Sequence, residues 1–138
     1  MNLVIISGAE ATGKTFIGQE IAKALDYRYI SKDAIKEAMF DTESHSTWDY
    51  KWYENRAKHS LFLTLDKLVR EGIDVVIESN FIGKDKERLR ACLQPSSVLR
   101  EVYCYAKGTT TFRRFVAKMN RAGGIKDITI VAGTPRCY

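Results

Sequence analysis

The sequence predicts an α/β fold in which a parallel sheet is flanked by helices. Three observations support this fold class. Strand-like and helix-like patterns alternate along the 138 residues. The run at residues 3–6 is continuously apolar, a second apolar run lies at residues 73–77, and a glycine-rich segment joins the first strand to the first helix. Continuous apolar runs are typical of parallel strands buried on both faces. Alternating strands and helices indicate right-handed crossovers within one sheet.

The order of the elements follows from these local patterns. Strands are expected where short runs are apolar or rich in β-formers, at residues 3–6, 27–30, 73–77, 98–105 and 128–132. Helices are expected at residues 16–25, around 35–39, and at 48–71, 84–93 and 109–121. Ser31 or Asp33 is a candidate N-cap for the second helix, and Gly72 and Pro95 are expected to end the third and fourth. The polar residues 42–47 are expected to form a loop.

Composition limits the classes of protein to which the chain can belong. The length suits a single domain over residues 1–138. No apolar run approaches the roughly 20 residues that cross a bilayer, and the start lacks the basic segment of a signal peptide. The net charge of +5 suits phosphorylated ligands, nucleic acid or simply a mildly basic surface. Three widely spaced cysteines and two histidines predict reduced thiols in a cytoplasmic protein, without a metal cluster.

The glycine-rich segment GAEATGKT matches the phosphate-loop pattern G-x-x-x-x-G-K-[ST]. The expected phosphate contacts comprise the whole loop: Gly8, Ala9, Glu10, Ala11, Thr12, Gly13, Lys14 and Thr15. The glycines let backbone N–H groups face phosphate oxygens at a helix N-terminus. Lys14 can then reach the β- and γ-phosphates, and the Thr15 hydroxyl can bind Mg²⁺. A purely structural glycine turn is the alternative, but the position between an apolar strand and an amphipathic helix favours nucleotide binding.

Two carboxylates follow predicted strands. Ligands of parallel sheets bind at the carboxyl ends of the strands, so Asp33 and Glu78 are expected near the phosphate loop. Asp33 can accept a proton from a substrate hydroxyl or orient it, although capping the next helix is an alternative role. Glu78 follows the apolar run Val75–Ile77 and can hold Mg²⁺ or an attacking group, or it can simply begin a turn. Asn80 is a candidate contact to the substrate or to the loop.

Basic and aromatic residues supply further candidates. Four basic side chains lie on the helix predicted at 109–121, namely Arg113, Arg114, Lys118 and Arg121. Arginines can stabilise the charge on a transferring phosphoryl group, and a solvated basic face is the alternative. Lys32 and Lys36 can contact substrate, but a solvated helix face is the simpler interpretation. Three aromatic residues, Trp48, Trp52 and Tyr53, can stack on a ring, although core packing is more typical.

Four segments together resemble, in order, the motifs of small P-loop kinases: ISGAEATGKT, ISKDAIKEAMFD, GIDVVIESNF and FRRFVAKMNRAGG. These kinases are relatives of shikimate, gluconate and adenylate kinases, zeta toxins and chloramphenicol phosphotransferase. The resemblance runs from residue 3 to about residue 121. It implies a three-layer P-loop NTPase fold with five parallel strands in the order 2-3-1-4-5. It also implies ATP and Mg²⁺ at residues 8–15, acceptor contacts at Asp33, and lid arginines near Arg114 and Arg121.

The sequence departs from this pattern in its last segment, KMNRAGGIKDITIVAGTPRCY. Lys118 stands where an arginine is expected, and no Arg-His pair occurs. We therefore expect a shortened C-terminal part, with either a reduced lid before the strand at 128–132 or an altered ending. A second copy of the chain, in a homo-oligomer, is one way to supply the missing cover.

The leading hypothesis is transfer of the γ-phosphoryl group of ATP to the hydroxyl of a small molecule that the sequence does not identify. One alternative is a nucleotide-binding module or a degenerate kinase without efficient turnover. Another is phosphorylation of polynucleotide ends, which is disfavoured because the basic residues are scattered along the chain. No membrane partner is expected.

Overall fold

The computed structural model describes residues 1–42, 49–110, 113, 114 and 117. The chain divides into two compact units, Met1–Tyr105 and Ala106–Tyr138. The described part of the first unit has four strands and four helices, in the order β1 (Asn2–Gly8), α1 (Lys14–Leu25), β2 (Arg28–Ser31), α2 (Lys32–Thr42), α3 (Tyr50–Glu71), β3 (Val75–Glu78), α4 (Lys84–Cys92) and β4 (Val98–Cys104). A single domain over residues 1–138 stays a prediction.

The four described strands form one parallel sheet in the order β2-β3-β1-β4. β1 is central, and it pairs with β3 so that Ile6 lies opposite Glu78. On its other side β1 pairs with β4, where Gly8 lies opposite Cys104. The predicted α/β class with a parallel sheet is confirmed, and the observed order agrees with the first four positions of 2-3-1-4-5. The strand predicted at 128–132 lies outside the described residues.

The core consists of two apolar clusters, one on each face of the sheet. The cluster on the side of α3 and α4 contains Leu3, Ile5, Leu61, Phe62, Leu65, Leu68, Val69, Val75, Ile77, Phe81 and Leu89. The cluster on the side of α1 contains Val4, Ile6, Ala22, Val76 and Cys104. Successive strand residues point to opposite faces of the sheet, so β1 and β3 each contribute side chains to both clusters. The two strands are therefore buried on both faces. Burial on both faces explains why these strands are continuous apolar runs in the sequence.

The helix ends follow local capping chemistry. The long helix predicted at 48–71 begins at Tyr50, because the Asp49 side chain accepts hydrogen bonds from the backbone N–H groups of Lys51 and Trp52. It ends at Glu71, and Gly72 stops it as predicted, with a left-handed φ of 67°. At α2 the backbone N–H of Ala34 donates to the Ser31 hydroxyl over 3.3 Å, so Ser31 is the capping side chain.

Some predicted boundaries differ from the observed ones. β3 begins at Val75 instead of residue 73, because the Ile73 backbone N–H donates to the Leu68 carbonyl in the C-terminal cap of α3. Thr42 is the last residue of α2, whereas the sequence pattern predicts a loop from residue 42. Residues 43–48, which include Trp48, lie outside the described residues. No helix in the described part of the chain is long and apolar enough to cross a membrane.

Replacing Leu65 by Ala is expected to lower the free energy of unfolding by about 2–5 kcal/mol, because it leaves a cavity in the larger apolar cluster. Leu65 is fully buried, whereas Leu63 on the same helix is 56% exposed. Leu63→Ala is therefore the matched control, and its effect should stay within about 0.5 kcal/mol. Urea unfolding followed by circular dichroism measures both. Equal losses for the two variants would contradict the described packing of α3.

Candidate functional site

The loop of residues 8–15 connects the end of β1 to the start of α1 and depends on two glycines. Gly8 has a φ of 134°, and a Cβ atom there would lie 2.0 Å from the carbonyl oxygen of Cys104. Gly13 has a φ of 92° and is the N-cap of α1, where no side chain caps the helix. The first backbone N–H groups of a helix need acceptors. An anion such as phosphate satisfies them and interacts favourably with the helix dipole.

The side chain of Lys14 lies inside the loop. Its ammonium donates a 2.6 Å hydrogen bond to the carbonyl oxygen of Ala9, which also accepts a 2.8 Å hydrogen bond from the Thr12 hydroxyl. Lys14 is only 8% exposed, and no carboxylate among the described residues forms a salt bridge with it. Because a buried charge is costly without a counter-ion, the loop is suited to bind an anionic group.

Asn80 fixes the start of the loop to the segment that follows β3. Its side-chain oxygen accepts a 2.9 Å hydrogen bond from the backbone N–H of Gly8, and its side-chain nitrogen donates to the Gly8 carbonyl over 3.2 Å. Of the two roles considered from the sequence, contact with the loop is the one observed. The backbone N–H of Ser79 also donates to the Ile6 carbonyl over 3.1 Å. The ends of β1 and β3 are therefore held together beside the loop.

Glu78 and Thr15, the two residues predicted to bind a metal, are in contact. The Thr15 hydroxyl donates to Glu78 Oε1 over 3.0 Å, and Glu78 is 5% exposed at the end of β3. The second carboxylate oxygen, Oε2, accepts a hydrogen bond from the Tyr29 hydroxyl. Burial, the hydrogen bond to Glu78 and the negative charge of Glu78 raise the pKa of Tyr29 well above its usual range. Tyr29 therefore stays protonated as a donor.

The Thr15–Glu78 pair fits the ligand chemistry of Mg²⁺. Mg²⁺ prefers oxygen ligands and commonly takes one or two from the protein, while waters and substrate phosphates complete the octahedron. No group of three or more His, Cys, Asp or Glu side chains within the described ranges is placed to hold a metal ion. A hydroxyl and a carboxylate beside a phosphate loop are instead the donor set expected for a metal that arrives with a nucleotide.

Asp33 belongs to a group of four charged side chains that joins α2 to α3, which we name the α2–α3 charge cluster: Lys32, Asp33, Lys36 and Glu54. The Lys36 ammonium lies 3.5 Å from Asp33 and 3.4 Å from Glu54. Lys32 forms an ion pair with Glu54 and lies 3.9 Å from Asp33. The interpretation of Lys32 and Lys36 as a solvated face was wrong, because their side chains are only 15% and 14% exposed.

The α2–α3 charge cluster shifts the pKa values of two of its members. Burial alone would raise the pKa of Glu54, but its hydrogen bonds and charge interactions with the two lysines outweigh burial and lower it. Burial would likewise lower the pKa of Lys36, but a hydrogen bond to Tyr50 and the charges of Asp33 and Glu54 raise it. Both shifts favour the charged forms, so the cluster stabilises the docking of α2 on α3 near neutral pH.

A cleft of about 660 Å³ opens beside the loop at the carboxyl ends of β1, β3 and β4. Ser7, Asn80 and Glu101 contribute polar groups to its wall, and the Ser7 hydroxyl donates to the Glu101 carboxylate over 2.6 Å. Ligand pockets commonly have volumes of about 300–1,000 Å³. Space for a ligand is thus available directly beside the predicted phosphate contacts.

The remaining predicted residues do not all fall within the described part of the chain. Arg113 and Arg114 are helical and exposed in the second unit, while Lys118 and Arg121 lie outside the described residues. Lid arginines therefore stay a prediction. Tyr53 is 2% exposed and its ring stacks on Phe40 at 4.1 Å, as expected for a core aromatic. Trp52 is 42% exposed, so the core packing expected for it from the sequence is not observed.

Sequence reasoning missed Tyr29 and Glu54. Tyr29 is one of two tyrosines in or beside an ordinary short strand, and its contact with Glu78 depends on how β2 lies against β3. Glu54 is one of many charged residues on α3, and its pairing depends on how closely α2 packs. No local pattern in the sequence signals either contact.

A parallel sheet of this order, with a phosphate loop between β1 and α1, defines the P-loop nucleoside-triphosphate-binding class in its kinase-like form. The chain belongs to the AAA domain family, which it matches over residues 3–129. No match was found among proteins of curated function.

Solved structures give the same fold. The chain is similar to a candidate kinase from Chloroflexus aurantiacus J-10-fl, with 29% identity and a TM-score of 0.80 over 88% of this chain and 68% of that one. It is also similar to a chain of the Pnkp1/Rnl/Hen1 RNA repair complex, with 15% identity and a TM-score of 0.70 over 93% of this chain and 40% of that one. A gluconokinase from Sinorhizobium meliloti 1021 shares 20% identity with this chain, with a TM-score of 0.57 over 88% of this chain and 66% of that one. This chain therefore spans 40–68% of the lengths of these relatives.

Replacing Glu54 by Gln is expected to lower the free energy of unfolding by about 1–2 kcal/mol near neutral pH, because two charge-assisted contacts are lost. The pKa of Glu54 is lower in the folded protein than in the unfolded chain, where a glutamate has its ordinary pKa. Its contribution to stability is therefore fully present above that ordinary pKa and is lost as the pH falls through the folded value. The stability gap between the wild type and Glu54→Gln should narrow over that acid range.

Urea unfolding at several pH values measures this gap. Glu37→Gln is the matched control, because Glu37 is exposed on α2 and its substitution should change the free energy of unfolding by no more than about 0.5 kcal/mol. A gap that is constant across the acid range would contradict the assigned role of Glu54.

Proposed function

We propose that the protein is an ATP-dependent phosphotransferase that moves the γ-phosphoryl group to a hydroxyl of a small molecule. The observation that carries this proposal is the 3.0 Å contact between Thr15 and the buried Glu78 carboxylate beside the loop that encloses Lys14. A phosphate loop alone serves many nucleotide-binding proteins. A hydroxyl and a carboxylate at its edge add the oxygen ligands that Mg²⁺ requires for phosphoryl transfer.

In this proposal the donor side of the site acts by charge stabilisation. Lys14 exchanges the Ala9 carbonyl for oxygens of the β- and γ-phosphates, and the first backbone N–H groups of α1 bind the phosphates at the helix N-terminus. Thr15 and Glu78 would hold the Mg²⁺ that accompanies the nucleotide. Bound Mg²⁺ neutralises charge that develops on the phosphates.

Asp33 acts on the acceptor side. It comes two residues after the end of β2, the neighbour of β3 in the sheet, and its carboxylate is 41% exposed despite its contacts with two lysines. The acceptor oxygen attacks the γ-phosphorus as the bond to the oxygen of the leaving ADP breaks, and Asp33 accepts or orients the hydroxyl proton. Arg114 and Arg121 are proposed to stabilise the transferring group in a lid.

The similarity to a candidate kinase, at 29% identity, supports this activity over nucleotide binding alone. The gluconokinase shares only 20% identity with this chain, so the sugar acid that its name indicates is one test compound among several.

The proposal has three further parts. They are a single domain over residues 1–138, a cytoplasmic location, and a homo-oligomer that completes the lid.

Replacing Lys14 by Ala is expected to abolish phosphate binding and to lower kcat/KM at least about 100-fold, because a preorganised positive charge is lost from the transferring group. Isothermal titration with ATP and Mg²⁺ measures binding. Lys23→Ala, on the exposed last turn of α1, is the matched control and should bind ATP like the wild type. ATP affinity that is unchanged in Lys14→Ala would refute the assignment of the loop.

Replacing Asp33 by Asn is expected to lower kcat about 100-fold or more with a suitable acceptor, because proton acceptance is lost, while ATP affinity stays at the wild-type value. Asp41→Asn, at the exposed end of α2, is the control. ADP release is measured with a panel of sugars, hydroxy acids and a 5′-hydroxyl oligonucleotide.

The pattern of ADP release separates the candidate functions. Release stimulated by one small acceptor, with a phosphorylated product found by mass spectrometry, supports the proposal. Slow hydrolysis that no acceptor stimulates contradicts it and favours a nucleotide-binding module. Stimulation by the oligonucleotide alone contradicts the small-molecule acceptor.

A further inference from the structure

The Glu78 carboxylate is held by hydroxyls from two different elements. Thr15, in the first turn of α1, donates to Oε1, and Tyr29, in β2, donates to Oε2. The carboxylate lies at the end of a buried strand, where it is 5% exposed. Because each oxygen has its own donor, rotation of the carboxylate about its last torsion would break both contacts. The plane of the carboxylate is therefore fixed before any ligand arrives.

Gly18 makes room for the Tyr29 ring. A Cβ atom at Gly18 would lie 2.9 Å from Cε2 of that ring and 3.3 Å from Cγ1 of Ile6, and contacts between carbon atoms are normally longer. Gly18 is buried within α1, where glycine is less stable than alanine. Because Gly18 has no side chain, the Tyr29 ring can lie close against α1. In that position the Tyr29 hydroxyl reaches Glu78.

We propose that Tyr29, seated against Gly18, is a positioning residue that orients the Glu78 carboxylate for the metal bound with the nucleotide. This inference rests on the proposed function, because it assumes that Glu78 serves the metal. Hydrogen-bond partners of a ligating carboxylate fix its direction and commonly change metal affinity 10–100-fold when they are removed. Tyr29 keeps one oxygen occupied and leaves the other directed towards Thr15, where the metal site is expected.

Removal of the Tyr29 hydroxyl tests this inference without an assay of turnover. The affinity of Mn²⁺, a substitute for Mg²⁺, is measured by paramagnetic resonance for the complex with a non-hydrolysable ATP analogue. Tyr29→Phe is expected to weaken Mn²⁺ binding about 10-fold and to leave the affinity for the analogue without metal unchanged. Tyr27→Phe is the matched control, because Tyr27 packs on the same apolar cluster; it should bind Mn²⁺ like the wild type.

A double-mutant cycle tests the part of Gly18. Gly18→Ala should weaken Mn²⁺ binding in the wild-type background by pushing the ring away, and it should have little further effect when combined with Tyr29→Phe. Effects that simply add would contradict a shared mechanism.

Three other outcomes would overturn the inference. Mn²⁺ affinity that is unchanged or tighter in Tyr29→Phe would show that the hydroxyl does not prepare Glu78 for a metal. An equal loss of metal-free nucleotide affinity would show a general disturbance of the loop. A wild-type complex that binds the analogue but no Mn²⁺ would refute the metal role of Glu78, and the proposed function with it.

Discussion

The pairing of β1 with β3 is the constraint on which the rest of the structure depends. Both strands are buried on both faces. Their register places Glu78 opposite Ile6, and the loop begins two residues after Ile6, at Gly8. The carboxyl ends of parallel strands meet at one edge of a sheet, so the segment after β3 reaches the segment after β1. The hydrogen bonds from Asn80 to Gly8 and from Thr15 to Glu78 are consequences of that pairing.

Charges in the molecule are stabilised in two contrasting ways. In the α2–α3 charge cluster, lysines and carboxylates pair with one another, which is the usual arrangement of a structural contact between helices. Lys14 and Glu78 are more deeply buried, yet their observed hydrogen bonds are to a neutral carbonyl and to two neutral hydroxyls. Charges kept in a buried site with neutral partners cost stability and are typical of binding sites. In the proposed function, a nucleotide phosphate and a metal supply charges opposite to those of Lys14 and Glu78.

The sequence revealed those parts of the site that depend on local patterns. The loop was recognised because its glycines and Lys14 are adjacent in the chain, and Glu78 because it ends an apolar run. The contact of Tyr29 with Glu78 could not be predicted, because it depends on the register of β2 against β3 and on the space beside Gly18 in α1. Lys32 and Lys36 were misinterpreted for the same reason. Their partner Glu54 lies on a helix beyond residues 43–48, and no periodicity within α2 indicates how close that helix packs.

The donor side and the acceptor side of the proposed site differ in how much apolar surface their elements bury. The donor side rests on β1, β3 and the start of α1, whose side chains fill both apolar clusters. The proposed acceptor side rests on α2, which contributes no fully buried residue. Its contacts with α3 include ion pairs and the stacking of Phe40 on Tyr53. Elements with little apolar burial open at lower free energy than the core, and they are the ones that move when substrates close a site. In the proposed function, the loop and Glu78 can therefore keep their geometry while α2 adjusts to an acceptor.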